Sequence, residues 1–150
     1  MPEDEKGSSI KRVLFLCTNN SSRSQMAEGL LRGIAGDRYE IISAGTTPTE
    51  LDPSSVTVMK EIGIDISGQT SKNVGDYFRQ SFDWVITVCN RAREKCPIYP
   101  LATWIHWDIE DPETIPEFRR ARDELARRIT AFVNGTYIQD GTGIGGKFKT

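Results

Sequence analysis

Residues 13–16 read Val-Leu-Phe-Leu, four apolar side chains in succession between Lys11-Arg12 and the small polar run that opens at Cys17. A strand with one wet face alternates apolar and polar residues. An unbroken apolar run asks for cover on both faces, as strands of parallel sheets have. Three more segments read as strands: Glu40 to Ala44, Trp84 to Val88 and, more weakly, Thr103 to Trp107. Helical patterns separate them. Met26, Leu30 and Ile34 share one face of a helix predicted to start near Arg23. Asp52-Pro53 supplies an N-cap and a first-turn proline for a second helix, with Val56, Met59 and Ile62 on one side and a stop at Gly63. Thr114-x-x-Glu117 reads as a capping box, with Pro116 tolerated in the first turn. The helix behind it carries Phe118, Ala121, Leu125, Ile129 and Phe132 at helical spacing and ends before Gly135.

Strands alternating with helices predict an α/β fold, a parallel sheet covered on both faces. In such sheets ligands bind beyond the carboxyl ends of the strands. Here Cys17 ends the first strand, Cys89 follows the third, and Asp108 and Asp111 follow the fourth. Three of four strand ends therefore bring reactive side chains to one edge. At 150 residues the chain fits one domain, predicted over 10–134, with a disordered N-terminus at 1–9 and a flexible glycine-rich tail at 135–150.

The loop Cys17-Thr18-Asn19-Asn20-Ser21-Ser22-Arg23-Ser24 joins a buried strand to a helix. Its small side chains let successive backbone N–H groups curve around one point and form an anion nest. The helix start adds its own N–H groups and the positive end of its dipole. Arg23 adds a planar fork that matches two oxygens of a phosphate-like group. The same surroundings favour the thiolate of Cys17, and Ser24 is placed to hydrogen-bond that sulfur. Residues Thr18 to Ser24 are thus expected to bind a tetrahedral oxyanion, with Cys17 as the nucleophile beneath it. No Gly-Lys-Ser/Thr sequence follows, so this is not a nucleotide-binding P-loop.

Cysteine, five residues, arginine and serine after the first strand resemble the low-molecular-weight tyrosine phosphatase superfamily. The resemblance runs from about Arg12 to Phe132. It includes Asn20, Gln25-Met26-Ala27-Glu28, Ser43-Ala44-Gly45-Thr46, Gly63-Ile64-Asp65-Ile66-Ser67 and Asp111-Pro112. Within it, Asp83 to Asn90, then Cys96-Pro97, and His106-Trp107 ahead of Asp111-Pro112 are similar to the thioredoxin-coupled arsenate reductases. The resemblance implies a three-layer α/β/α domain with a four-stranded parallel sheet in the order 2-1-3-4. It also implies a three-thiol relay. Cys17 attacks arsenate, Cys89 attacks the sulfur of Cys17 and expels arsenite, and Cys96 attacks Cys89. The Cys89–Cys96 disulfide is then reduced by thioredoxin. Asp111 is implied as the general acid; by spacing alone Asp108 and Glu110 compete with it, or Asp111 caps the following helix.

The chain departs from the family at several places. Asn19 stands where glycine is frequent and Ser22 where cysteine is frequent. Some members hold potassium near residues matching Asn20, Glu28 and Ser43, with an acidic residue at the position of Lys72. A lysine there predicts no potassium dependence. A phosphatase acting on phosphate monoesters through the same loop is the alternative activity, and a non-catalytic oxyanion or redox sensor is the alternative from another class.

Three cysteines and His106 lack zinc-site spacing, so no metal is expected, nor any cofactor. His106 and the three tryptophans read as packing residues. Arg119, Arg120, Arg122, Arg127 and Arg128 read as a solvated helix face, interrupted by Asp123 and Glu124. A net charge of −2 gives no case for nucleic acid or membrane partners. With no signal-like N-terminus and no apolar run of membrane length, the chain is expected to be a cytoplasmic monomer whose thiols stay reduced.

Overall fold

The computed structural model describes residues 10–88, 99–137 and 140. The strands are β1 (Lys11–Cys17), β2 (Tyr39–Gly45), β3 (Trp84–Thr87) and β4 (Thr103–His106). The helices are α1 (Arg23–Ala35), α2 (Pro53–Lys60) and α3 (Ile115–Val133), with one 3-10 turn at Val74–Tyr77. All strand pairs are parallel, and the sheet order is β2-β1-β3-β4, as expected.

Val13, Leu14, Phe15 and Leu16 are wholly buried, which is why that run tolerates no polar residue. On one face α3 lies over the sheet, where Phe132 meets Trp84 edge-on at 5.1 Å between ring centres. Side chains of neighbouring residues leave a sheet on opposite sides. Val85 therefore faces the other way, as does its partner Trp104, which packs on Tyr99 at 6.4 Å. Helix α1 packs along α3 and against β1 and β2, and α2 packs on α3.

The helix ends follow local chemistry. Asp52 caps α2 through Ser54 N, and the Thr114–Glu117 capping box closes the start of α3. All five predicted apolar residues of α3 are buried. The other two stripes need correction. Ile34, in the last turn of α1, and Ile62, beyond the end of α2, are exposed, while Ala27, Leu31 and Val58 are buried. Periodicity identifies the inward face but not how far the covering layer extends.

The arginine stripe is not uniformly solvated either. Arg122 bonds Val58 O and Glu61, Arg128 bonds Glu124 and Asp140, and both arginines are buried. Carboxylates from just past α2, from α3 itself and from beyond α3 compensate that burial. Two residues of the expected flexible tail make contacts with the domain. Tyr137 packs on Trp84 and Phe132, and Asp140 pairs with Arg128, anchors that the glycine content concealed.

Candidate active site

The loop after β1 is held from outside by its own carbonyls. Thr46 N donates to Cys17 O, Thr47 N to Thr18 O and Thr49 N to Asn19 O. Gln25 Nε2 donates to Asn20 O and Asp52 N to Ser21 O. A peptide plane whose carbonyl points out turns its N–H in. The amide edge therefore lines the inside of the curve, where Asn20 N donates to Cys17 Sγ at 3.2 Å. The bend needs Asn20 at φ +50°, a left-handed conformation that asparagine accepts more readily than most residues.

Gly45, at the end of β2, is part of this construction. A Cβ there would meet Thr18 O at 2.5 Å and Asn20 N at 2.9 Å, both backbone atoms. The loop lies directly against the β2 backbone because this position has no side chain. The segment Ser43 to Thr46 carried the family resemblance, but only the packing shows what its glycine does.

Beneath the loop, Cys17 is 2% exposed, and its Sγ shares a hydrogen bond with Ser24 Oγ at 2.9 Å. Asn20 Nδ2 donates to that same Ser24 Oγ at 2.8 Å, leaving the hydroxyl hydrogen for the sulfur. With the Asn20 amide also donating, the sulfur has two hydrogen-bond partners here and lies beside the start of α1.

Asn20 has further partners. Its Nδ2 donates to Ser43 Oγ, and its Oδ1 accepts from Lys72 N and Gln25 Nε2. Ser43 in turn donates to Glu28. The Glu28 carboxylate is shared by Arg32 at 2.5 Å and by Lys72 Nζ at 3.6 Å. Asn20, Glu28 and Ser43, the set that matches the family's potassium position, thus already has a cation in Lys72. The residues present do not fit an added ion.

Arg23 lies at the other side of the loop and is mostly buried. Its Nη1 donates to Ile109 O at 2.8 Å, and its Nη2 is 3.5 Å from Asp111 Oδ1. Its Nε is buried without a hydrogen-bond partner among the described residues. A buried guanidinium donor left unpaired by the protein suits an anionic ligand. Of the three competing carboxylates, Asp111 is the one paired with Arg23, and its side chain is 70% exposed. Thr114 caps α3, so Asp111 is not committed to that duty.

The structure therefore gathers Cys17, Asn20, Arg23, Ser24 and Asp111 at one edge of the sheet. Thr18, Asn19, Ser21 and Ser22 form the rest of the curve. Cys89 and Cys96 lie outside the described residues. The pairing that leads to Cys89 continues through Val88, whose N–H donates to Leu16 O beside Cys17. Of the other expectations, His106 is buried and bonded through Nδ1 to Thr87 Oγ1 at 2.7 Å. Sequence reasoning gave Asn20, Ser43 and Glu28 no part in holding the sulfur. Their spacing carries no periodic signal; the resemblance had grouped them around one ion position, and the fold links that group to Cys17 through Ser24.

Residues 12–140 match the model of the low molecular weight phosphotyrosine protein phosphatase family. The chain belongs to this family. It is 43% identical over 131 residues to an arsenate reductase of Halalkalibacterium halodurans, covering 81% of this chain and 94% of that one. A solved arsenate reductase in its oxidized state superposes with a TM-score of 0.77 at 31% identity, over 83% of this chain and 98% of that one. A thioredoxin-dependent arsenate reductase of Corynebacterium glutamicum superposes at 0.74 with 32% identity. The match to it spans 89% of this chain and 65% of that longer one. Among the described residues, no helix is long and apolar enough to cross a membrane.

Proposed function

We propose that this enzyme reduces arsenate to arsenite by a thiol relay recharged by thioredoxin. What carries the reading is the hydrogen-bonded Sγ of Cys17 beneath an inward-facing amide loop, in a chain whose relatives include arsenate reductases. The loop from Thr18 to Ser24 and the Arg23 guanidinium hold the oxyanion. The Cys17 thiolate attacks arsenic, and Asp111 gives its proton to the departing oxygen, which leaves as water. A sulfur–arsenic(V) bond has formed and an arsenic–oxygen bond has broken.

Cys89 then attacks Cys17 Sγ. The electron pair of the sulfur–arsenic bond passes to arsenic, arsenite departs, and a Cys17–Cys89 disulfide remains. Cys96 displaces Cys17 from Cys89, and the dithiol of thioredoxin reduces the resulting Cys89–Cys96 disulfide. Both relay cysteines enter from the sequence alone. A thioredoxin-dependent relative supports the choice of donor. The dependence on free thiols assigns the enzyme to a reducing cytoplasm, and a loop and arginine from one chain suit a monomer.

The test supplies arsenate, thioredoxin, thioredoxin reductase and NADPH and follows NADPH loss. Arsenate-dependent turnover that vanishes in Cys89→Ser and in Cys96→Ser supports the relay, and turnover surviving both changes sinks it. The family match also favours a second activity through the same loop, slow hydrolysis of aryl phosphates by a cysteinyl-phosphate intermediate. That activity should need Cys17 and Arg23 and tolerate loss of Cys89.

A further inference from the structure

Among the described residues β4 is the edge strand of the sheet, with no neighbouring strand along one row of its backbone groups. Just past β4, Trp107 N donates to Thr87 O of β3 at 2.8 Å. The backbone groups on either side of Trp107, His106 O and Asp108 N, therefore point away from β3, toward the open edge. Asp140 takes both. Its N–H donates to His106 O at 3.0 Å, and its Oδ2 accepts from Asp108 N at 2.5 Å. The same Oδ2 accepts from Arg128 Nη1 at 2.6 Å, and Arg128 is held in turn by Glu124. One residue from beyond α3 thus pairs with the end of β4 as a short extra strand would, with its carboxylate standing in for a backbone carbonyl.

Asp108 opens the loop that runs to Pro112. Within it Ile109 O receives Arg23, and Asp111 faces Arg23 at 3.5 Å. The loop is otherwise exposed at Glu110 and Asp111, and a cavity of about 210 Å³ runs beneath it between Asp108, Asp111, Glu117 and Arg120. Buried Ile109 and Pro112 anchor the loop from within, and the bond from Asp108 N to Asp140 fixes where it leaves β4.

We propose that Asp140 is a positioning residue for the reaction: it clasps the start of the 108–112 loop and so sets where Asp111 delivers its proton. The inference rests on the reading of Asp111 as the general acid. Asp140 is suited to the task as a carboxylate. Burial works to raise its pKa, but the hydrogen bonds from Arg128 and the Asp108 amide outweigh it, holding the carboxyl below its ordinary range.

The experiment is a double-mutant cycle on the full chain, with arsenate turnover as one readout and competitive inhibition by inorganic phosphate as the other. A positioned acid contributes about 100-fold or more to rate, and a displaced one keeps part of that. Asp140→Ala should lower kcat about tenfold, and Asp140→Asn, which keeps an acceptor for Asp108 N, less. Phosphate inhibition should change little, because the anion loop lies between β1 and α1 and Arg23 bonds Ile109, which its own burial keeps in place. In Asp111→Asn, adding Asp140→Ala should cost nothing further, since the proton donor it places is already gone.

Losses that add in the double variant would overturn the clasp. So would phosphate inhibition that weakens in step with kcat, the signature of general loosening. Thermal unfolding of both Asp140 variants separates lost fold from lost position, and Asp140→Asn carries the test if Asp140→Ala fails to fold. If Asp111→Asn alone turns over like the parent enzyme, the acid reading fails and takes this proposal with it.

Discussion

Replacing Asn20 by alanine tests whether the loop is held by buried hydrogen bonds or merely packed. Asn20 is wholly buried, donates to Ser24 and Ser43, and accepts from Lys72 N and Gln25 Nε2. Gln25 keeps Thr70 O and Asn20 O, so its loss is small. The Lys72 amide is left without this acceptor, and an unsatisfied buried donor costs about 1–3 kcal/mol. The two hydroxyls lose a shared donor, at about 1 kcal/mol. Alanine at φ +50° adds about 1 kcal/mol of backbone strain. The sum, about 3–5 kcal/mol, is a large share of the 5–15 kcal/mol that holds a typical domain together. The expected fall in Tm is roughly 10–15 °C. Urea unfolding followed by tryptophan fluorescence reads this directly, and Asn20→Gly isolates the strain because glycine accepts a positive φ. A destabilisation below about 1 kcal/mol in Asn20→Ala would refute the claim that these bonds hold the loop.

Gly45→Ala should abolish phosphate inhibition and arsenate turnover together, because a Cβ at 2.5 Å from Thr18 O forces the loop off β2. Calorimetric titration with phosphate checks it, and unchanged affinity would show that the loop yields without cost. Activity should be equal in sodium and potassium salts of matched ionic strength, since Lys72 Nζ supplies the charge beside Glu28. Steady-state rates in the two salts decide this, and Lys72→Asp should create a potassium response. The hydrogen bond from Arg119, opposed by desolvation and joined by that from Arg122, holds the Glu61 carboxyl at about 2, below its ordinary 4.5. A depressed carboxylate stabilises the fold above its unfolded value and loses that contribution as pH falls from 4.5 toward 2. The stability gap between the parent and Glu61→Gln should therefore close over that descent, and shrink with salt because the pair is exposed.

How much of this could be read in advance depended on whether the determinant was local. The four apolar runs, the Asp52-Pro53 start and the Thr114–Glu117 box are neighbours in sequence, and each took the expected form. The Cys17–Arg23 loop was legible for the same reason: its small residues, strand and helix are contiguous. What stayed hidden depends on residues far apart in the chain. Gly45 is a generic strand-end glycine until the loop is laid on it; the family resemblance grouped Asn20, Glu28, Ser43 and Lys72, but their bonds to one another show only in the fold. Arg122 and Arg128 looked solvated because their partners, Glu61 and Asp140, come from other elements. Asp140, in a stretch dominated by glycine, gave no sign that it would close the sheet edge.

These hidden contacts have a common physical purpose. An anion nest concentrates parallel amide dipoles around one point, and a buried thiolate adds its own desolvation cost; neither arrangement is the preferred state of an isolated loop. Asn20 meets that cost by joining Ser24, Ser43, Gln25 and the 70–72 segment in one hydrogen-bonded body. Ser24 then spends its remaining hydrogen on the sulfur, so a partner three bonds away from Cys17 still sets how well the thiolate is held. On the proposed reading the loop by itself would fit phosphate and arsenate alike, since everything in it addresses tetrahedral shape and charge. The choice between hydrolysis and reduction must then lie in what reaches the sulfur next, a water or a second thiol. On the proposed relay that choice lies with Cys89, the residue after Val88 in the sequence, and the loop is common to both chemistries.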